Sequence, residues 1–367
     1  METMYRTLNI PLFKVPDIVF FISKMPPDAP ILQYKNVLIT GTAGFIASHL
    51  AKYLVRKYPG SQFYGVDKMS YCSDVDRMEE YIDDDNFMFI PIDCCNAESV
   101  TAIFKMYDID CVIHLAAYTA VDMSFNDSVI YSKNNVVGTH VLLECARQYG
   151  KIKRFIHMST DEVYGPTESP ADEQTLFAPT NPYAATKAAA EMICQSYIRS
   201  YKMPIVITRA NNIYGPFQHN EKVIPKFMTQ MLNCEPITIH GNGNVVRNFL
   251  HVESFCEAYD NVIHHGIDHE VYNIGTDFEI SIIDLAHMMK SLMEQESRLF
   301  NELTPRQQQW ISQSTEKVII HVDDRIFNDT RYALNIDKIK KLGWQDERDF
   351  RTGLIDTMLQ HIRSYKH

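Results

Sequence analysis

Val37-Leu-Ile-Thr-Gly-Thr-Ala-Gly-Phe-Ile-Ala47 decides the fold. A short apolar run feeds into Gly41-x-x-Gly44-x-x-Ala47, and a helical pattern follows to about Lys57. A buried strand turning tightly into a helix is the opening of a dinucleotide-binding unit. Glycines let backbone amides approach a pyrophosphate, and the helix amino terminus favours its charge. The glycine spacing is weak evidence alone, but its surroundings strengthen it. A second strand, Phe63 to Asp67, ends in a carboxylate placed to accept the adenosine ribose hydroxyls. That carboxylate would repel a 2′-phosphate, so NAD is expected rather than NADP, with Lys68 the one opposing charge beside it. Gly41, Gly44, Phe45 and Ile46 are the candidate phosphate cradle. Asp93, Leu115, Ala116 and Ala117 follow the third and fourth strands and should line the same cleft.

Outward from this unit, strands are predicted at Phe87 to Ile90, Cys111 to His114, Arg154 to Met158 and Pro204 to Thr208. Helical patterns at 74–82, 97–106, 127–149 and 181–202 separate them. This alternation means βαβ units and an α/β fold with a doubly wound parallel sheet. After Arg209 the rhythm becomes irregular. Helices are expected at 223–232, 252–265, 281–293, 335–341 and 350–364, and strands near 237–240, 248–251 and 271–274. The predicted organisation is an extension over 1–34, a Rossmann-type domain over 35–209 joined by segments near 241–267, and a smaller interleaved carboxyl-terminal lobe within 210–367.

The chain has 367 residues, with 46 acidic against 35 basic and a formal net charge of -11. That balance argues against nucleic acid as a partner. Eight cysteines show no zinc-ligand spacing, so no metal site is expected and reduced thiols of a cytoplasmic protein are the natural reading. The apolar stretch Ile10 to Ile22 is interrupted by two prolines, Lys14 and Asp17. It is too short and too broken to span a bilayer, and it lacks the features of a secretory signal. Met25 is expected as an alternative start.

Two clusters carry chemistry. Tyr183 and Lys187 stand one helical turn apart on one face. An ammonium in that position is expected to lower the phenol's pKa and make it a usable base. Ser159-Thr-Asp-Glu-Val-Tyr-Gly165 places Thr160 and two adjacent carboxylates, Asp161 and Glu162, at the carboxyl end of the fifth strand, where open α/β sheets bind ligands. A Tyr–Lys pair moves a proton and permits hydride transfer; an added acid and base permit loss of water. Glu221, Lys222, Arg247, Arg325 and Arg331 are candidates for holding an anionic substrate through loops of the second lobe.

From about Lys35 to His361 these motifs, with Asn211 to Gly215, Arg247 to Leu250, Tyr272 to Gly275 and Asp324 to Tyr332, resemble the nucleoside-diphosphate-glucose 4,6-dehydratases of the extended short-chain dehydrogenase/reductases. The resemblance implies a UDP- or dTDP-glucose substrate and a 4-keto-6-deoxyglucose product, a precursor of rhamnose-type sugars. It assigns catalysis to Thr160, Asp161, Glu162, Tyr183 and Lys187. It puts Asn212, Glu221, Lys222, Arg247, Arg325, Asn328 and Tyr332 on the substrate. It also implies a homodimer through the helices of 127–149 and 181–202. The chain departs from its relatives at Tyr118, Ala120, His219, Asn220 and Ile326, all expected near the sugar. Two other readings stand beside this one: a catalytically silent NAD- and sugar-nucleotide-binding protein, and a UDP-sugar 4-epimerase or decarboxylase. Neither of the latter two reactions needs the Asp–Glu pair.

Overall fold

The computed structural model describes residues 30–323 and 331–365. A seven-stranded parallel sheet forms its centre, in the order β3-β2-β1-β4-β5-β6-β10. These strands are β1 (Asn36–Thr40), β2 (Gln62–Asp67), β3 (Phe87–Pro91), β4 (Cys111–His114), β5 (Arg154–Thr160), β6 (Ile205–Ala210) and β10 (Val271–Ile274). Their interiors are almost continuously apolar, as strands covered on both faces must be. The helices Phe45–Lys57 and Val252–His265 close one face with Leu50, Leu54, Phe255 and Val262. Ala97–Met106, Gly138–Tyr149 and Pro182–Tyr201 close the other with Phe104, Leu142 and Cys194. The strand order reverses direction between β1 and β4. That switch point opens a cleft above the carboxyl ends of both strands.

The second lobe has its own core, built from Val223–Leu232, Ile282–Gln295 and Phe350–Tyr365. Those helices pack on two small sheets, β7 (Asn212–Tyr214) with β9 (Val246–His251) and β11 (Glu279–Ser281), and β8 (Ile237–His240) with β12 (Ile319–Val322). The chain thus leaves the large sheet after β6 and returns to it for β10.

Two predicted helices come out differently. The expected helix over 74–82 is only a 3-10 turn, Val75–Met78, capped by Asp74. The expected helix over 127–149 is broken: Ser128–Tyr131 and Gly138–Tyr149 are α-helical, and Ser132–Val137 between them is a π-helix. Wider turns of this kind often mark functional positions. Here the π-helix carries Asn134 into the cleft wall and Asn135 behind it, against Tyr118 and Thr186. The expectations for residues 1–29, Met25 included, and for Arg325, Ile326 and Asn328 lie outside the described residues.

Candidate active site

The cleft at the switch point has a volume of about 490 Å³ and runs from the Gly41 turn to the second lobe. Gly41 has φ +81, and a Cβ there would stand 3.0 Å from the Ala116 backbone. The turn therefore approaches β4 more closely than any side chain permits. Thr40 Oγ1 ties the two strand ends by accepting from the amides of Leu115 and Ala116 at 3.1 and 3.0 Å. The helix beginning at Phe45 has neither a side-chain cap nor an acidic residue in its first turn. Its amino end, with Gly44, Phe45 and Ile46, faces the cleft. Asp67 accepts from the amides of Ala43 at 3.2 Å and Met69 at 2.9 Å, and from Ser73 Oγ at 2.8 Å. The residues present fit a dinucleotide: a close-packed glycine turn, open amides at a helix start, and an oriented carboxylate.

Lys68 does not stand free beside Asp67. Its Nζ donates to Asn134 Oδ1 at 2.6 Å and lies 4.3 Å from the centre of the Tyr118 ring. Tyr118 also meets Tyr71 and Tyr131 at ring distances of 5.9 and 5.6 Å. Tyr118 is therefore part of an aromatic wall. Its backbone is held by Asn135, which accepts from the Tyr118 amide at 2.8 Å and donates to its carbonyl and to Thr186 Oγ1, each at 3.0 Å. Asp93, Leu115, Ala116 and Ala117 line the same cleft.

Thr160 ends β5 and caps the 3-10 turn Asp161–Tyr164, its Oγ1 accepting from the Glu162 amide at 3.4 Å and donating to Asp161 Oδ1 at 3.1 Å. Asp161, Glu162, Tyr183 and Lys187 all line the cleft. Burial raises the Asp161 carboxyl to about 6, against the donors Asn211 and Thr160 and the charge of Arg247. Burial, and then the charge of Asp161, raises Glu162 to about 7, opposed by Asn181, Lys222 and Arg247. Between about pH 6 and pH 7 the pair therefore holds about one proton, bound more tightly by Glu162 than by Asp161.

The expectation that Lys187 lowers the Tyr183 phenol is not met. Burial, and next the Glu162 charge, hold Tyr183 well above its usual range. Lys187 is itself lowered to about 8 by burial, and its Nζ donates to the Met158 carbonyl. The helix that aligns the two side chains also packs them against β5, and desolvation outweighs their mutual effect.

Second-lobe residues close the far end. Tyr71 OH donates to Glu221 Oε2 at 3.2 Å, Lys222 Nζ donates to the Thr119 carbonyl at 2.9 Å, and His219 packs edge-on against Tyr71. Arg247 lies over the Tyr332 ring at 4.9 Å, and Asn212 donates to the Asn248 carbonyl at 3.3 Å. All five substrate candidates among the described residues line the cleft. Arg331 does not join them, forming instead a two-point pair with Glu279 at 2.8 and 2.9 Å. Sequence reasoning missed Asn134, Asn135 and Asn181. Asn181 carried a readable signal, an asparagine immediately before Pro182 at the start of a helix.

The family model described as GDP-mannose 4,6 dehydratase matches residues 38–357. The chain belongs to this family, within the extended short-chain dehydrogenase/reductases. Among curated relatives of this chain, a trifunctional UDP-glucose 4,6-dehydratase/UDP-4-keto-6-deoxy-D-glucose 3,5-epimerase/UDP-4-keto-L-rhamnose-reductase of Arabidopsis thaliana is 44% identical over 328 residues. The match covers 88% of this chain but only 47% of the plant protein, so the chain spans about half that length. A dTDP-D-glucose 4,6-dehydratase of Dictyostelium discoideum is 40% identical over 355 residues, covering 89% of this chain and 82% of that one. A crystal structure of dTDP-glucose 4,6-dehydratase from Bacillus anthracis in complex with NAD superposes with a TM-score of 0.79 at 31% identity. It covers 90% of this chain and 98% of the bacterial one.

Proposed function

We propose that the protein catalyses NAD-dependent dehydration of a nucleoside-diphosphate-glucose, UDP- or dTDP-glucose, to the 4-keto-6-deoxyglucose nucleotide. The observation that carries this reading is the meeting of Asp161 and Glu162 with Tyr183 and Lys187 in one cleft. Epimerisation or decarboxylation would use the Tyr–Lys pair alone. Dehydration needs an acid and a base as well, and one proton shared by two carboxylates provides both once it has passed from Glu162 to Asp161.

When bound, NAD would supply a temporary hydride acceptor for C4 and a hydride donor for C6. Gly41, Gly44, Phe45, Ile46 and Asp67 would hold it, with Lys68, Asp93 and Leu115 to Ala117 along its length. Tyr183, with Thr160 and Lys187 beside it, takes the proton of the C4 hydroxyl. The C4 ketone acidifies the C5 proton, which Glu162 removes. Asp161 protonates the departing C6 hydroxyl, which leaves as water. A proton returns to C5, and no net redox change remains. Glu221, Lys222 and Tyr332 would meet the sugar, and Asn212 and Arg247 the diphosphate, joined in this reading by Arg325 and Asn328.

The same reading places the protein in the cytoplasm, supported by eight free thiols. No helix among the described residues is long and apolar enough to cross a membrane. It also makes the protein a homodimer. Val129 is 77% exposed and Met192 62%, both on helices of the face expected to pair.

Incubating the protein with NAD and either nucleotide, and following protons by NMR, tests the proposal. A new C6 methyl doublet with C4 as ketone or hydrate is the expected product. Intact sugar with NAD bound would overturn the reading.

A further inference from the structure

Asn181 and Asn211 come from different elements and meet the two carboxylates of one turn. Asn181 is the cap of Pro182–Tyr201, with its Oδ1 accepting from the Ala184 amide at 2.8 Å. That bond fixes the orientation of the amide group. Nδ2 is left to donate to Glu162 Oε2 at 2.9 Å. Asn211 directly follows β6, and its Oδ1 accepts from the Thr276 amide at 3.2 Å. Its Nδ2 is then turned to Asp161 Oδ2, again at 2.9 Å. The fit around Asn211 is tight, because a Cβ on Gly275 would stand 2.0 Å from Oδ1. Each side chain has its oxygen engaged by a backbone N–H, so neither amide can rotate to present an acceptor to its carboxylate. Both can only donate.

We infer that Asn181 and Asn211 are positioning residues that divide the work of the two carboxylates, Asn181 aiming Glu162 at the C5 proton and Asn211 aiming Asp161 at the C6 hydroxyl. This rests on the dehydratase reading above. A donor fixed at one oxygen immobilises a carboxylate and turns its other oxygen outward. For Glu162 that oxygen is Oε1, which has no protein donor among the described residues, and Glu162 lines the cleft. Asp161 is held more completely, since Thr160 donates to Oδ1 while Asn211 donates to Oδ2. Arg247 and Lys222 act on the pair through their charge, which is not directional, whereas the two amides fix an orientation.

The test uses variants that keep each structural bond and remove the amide donor. Asn181→Ser still caps the helix, serine being about as good a cap as asparagine. Asn211→Asp keeps an oxygen for the Thr276 amide but sets a second carboxyl against Asp161, so Asn211→Ser, which adds no charge, is run beside it. Each variant is incubated with NAD in D2O, using the nucleotide sugar that the wild type turns over. Product and C5 label are followed by NMR, and reduced cofactor by its absorbance. The variants should dehydrate about 10- to 100-fold more slowly, the range expected for one hydrogen bond to a charged group. In each, reduced cofactor should accumulate, because C4 oxidation is untouched. Recovered sugar should carry no deuterium at C5 with Asn181→Ser, but should carry it with Asn211→Asp and Asn211→Ser, where the proton leaves and returns without loss of water. Asn181→Asp repeats the comparison if Asn181→Ser loses NAD binding. Wild-type rates in the variants, interchanged labelling, or slow turnover without accumulated reduced cofactor would each sink the inference while leaving the dehydratase reading intact. A wild type that forms no product would overturn both.

Discussion

Two groups of buried charge share the helix Pro182–Tyr201, and their surroundings treat them in opposite ways. Glu191 is fully buried and meets Arg209 at 2.8 Å, while the same guanidinium also donates to Tyr164 OH at 2.7 Å and lies over the rings of Tyr164 and Phe177. Burial would lower Arg209, but Glu191 outweighs it and holds the guanidinium above its ordinary value. One turn earlier Lys187 has a carbonyl as its bonded partner. Asp161 and Glu162, which line the same cleft, have neutral donors as theirs. An opposite charge locks an ionisation state, whereas a neutral donor only moderates the cost of burial. The first arrangement anchors β6 to the helix. The second leaves three groups near the pH at which protons must move, with Lys187 at about 8 and the carboxylates at about 6 and 7.

Breaking the functional group should cost activity most. Glu162→Gln is expected to keep NAD binding and lose about 10²- to 10⁴-fold in dehydration, the usual worth of a general base, measured by steady-state turnover. The same variant should melt at a higher temperature than wild type at pH 8. A carboxyl raised on folding binds more protons in the native than the unfolded state, so stability falls as pH rises from about 4.5 towards about 7. Replacing Glu162 removes that loss.

Breaking the anchored group should cost stability instead. Arg209→Met leaves Glu191 buried without a counter-charge, and should lower unfolding stability by about 3–5 kcal/mol in denaturant titration. Arg209→Met combined with Glu191→Met should recover most of it.

The pH profile sharpens the contrast without any mutation. Below about 6 both carboxylates hold protons and no base remains; above about 7 both are ionised and no acid remains. The kcat profile is therefore expected to be bell-shaped, its limbs reporting apparent values that belong to the pair. A flat profile across that range would break the comparison. The smallest effect is expected at the surface, where Lys151 meets Asp108 at 2.7 Å with both side chains largely exposed. Lys151→Ala should leave both the melting temperature and turnover unchanged.

Much of this was legible beforehand, and the particular misses show where legibility stops. The glycine turn, Asp67 and the strands through β6 were readable because period and turn chemistry are local. So was the helix Ala97–Met106, whose start is marked by its Asn96 cap. The break at Ser132–Val137 was not, because an apolar stripe reads the same whether the backbone is α or π. β7, β11 and β12 were missed because each is only three or four residues long and is defined by its partner strand. Arg331 looked like an anion ligand by type, yet Glu279, 52 residues earlier, claims it.

The sequence by itself determined which chemical groups are available and the two local alignments on which the chemistry depends. These are Tyr183 with Lys187 on one helical face, and Asp161 with Glu162 at the end of a strand. Only the tertiary structure decided their electrical state. Asn211 reaches Asp161 across 50 residues, and Thr276 and Gly275 fix Asn211 from farther still. Proton affinity depends on how much water is excluded and which donors remain, and both are properties of packed surfaces that no local pattern contains.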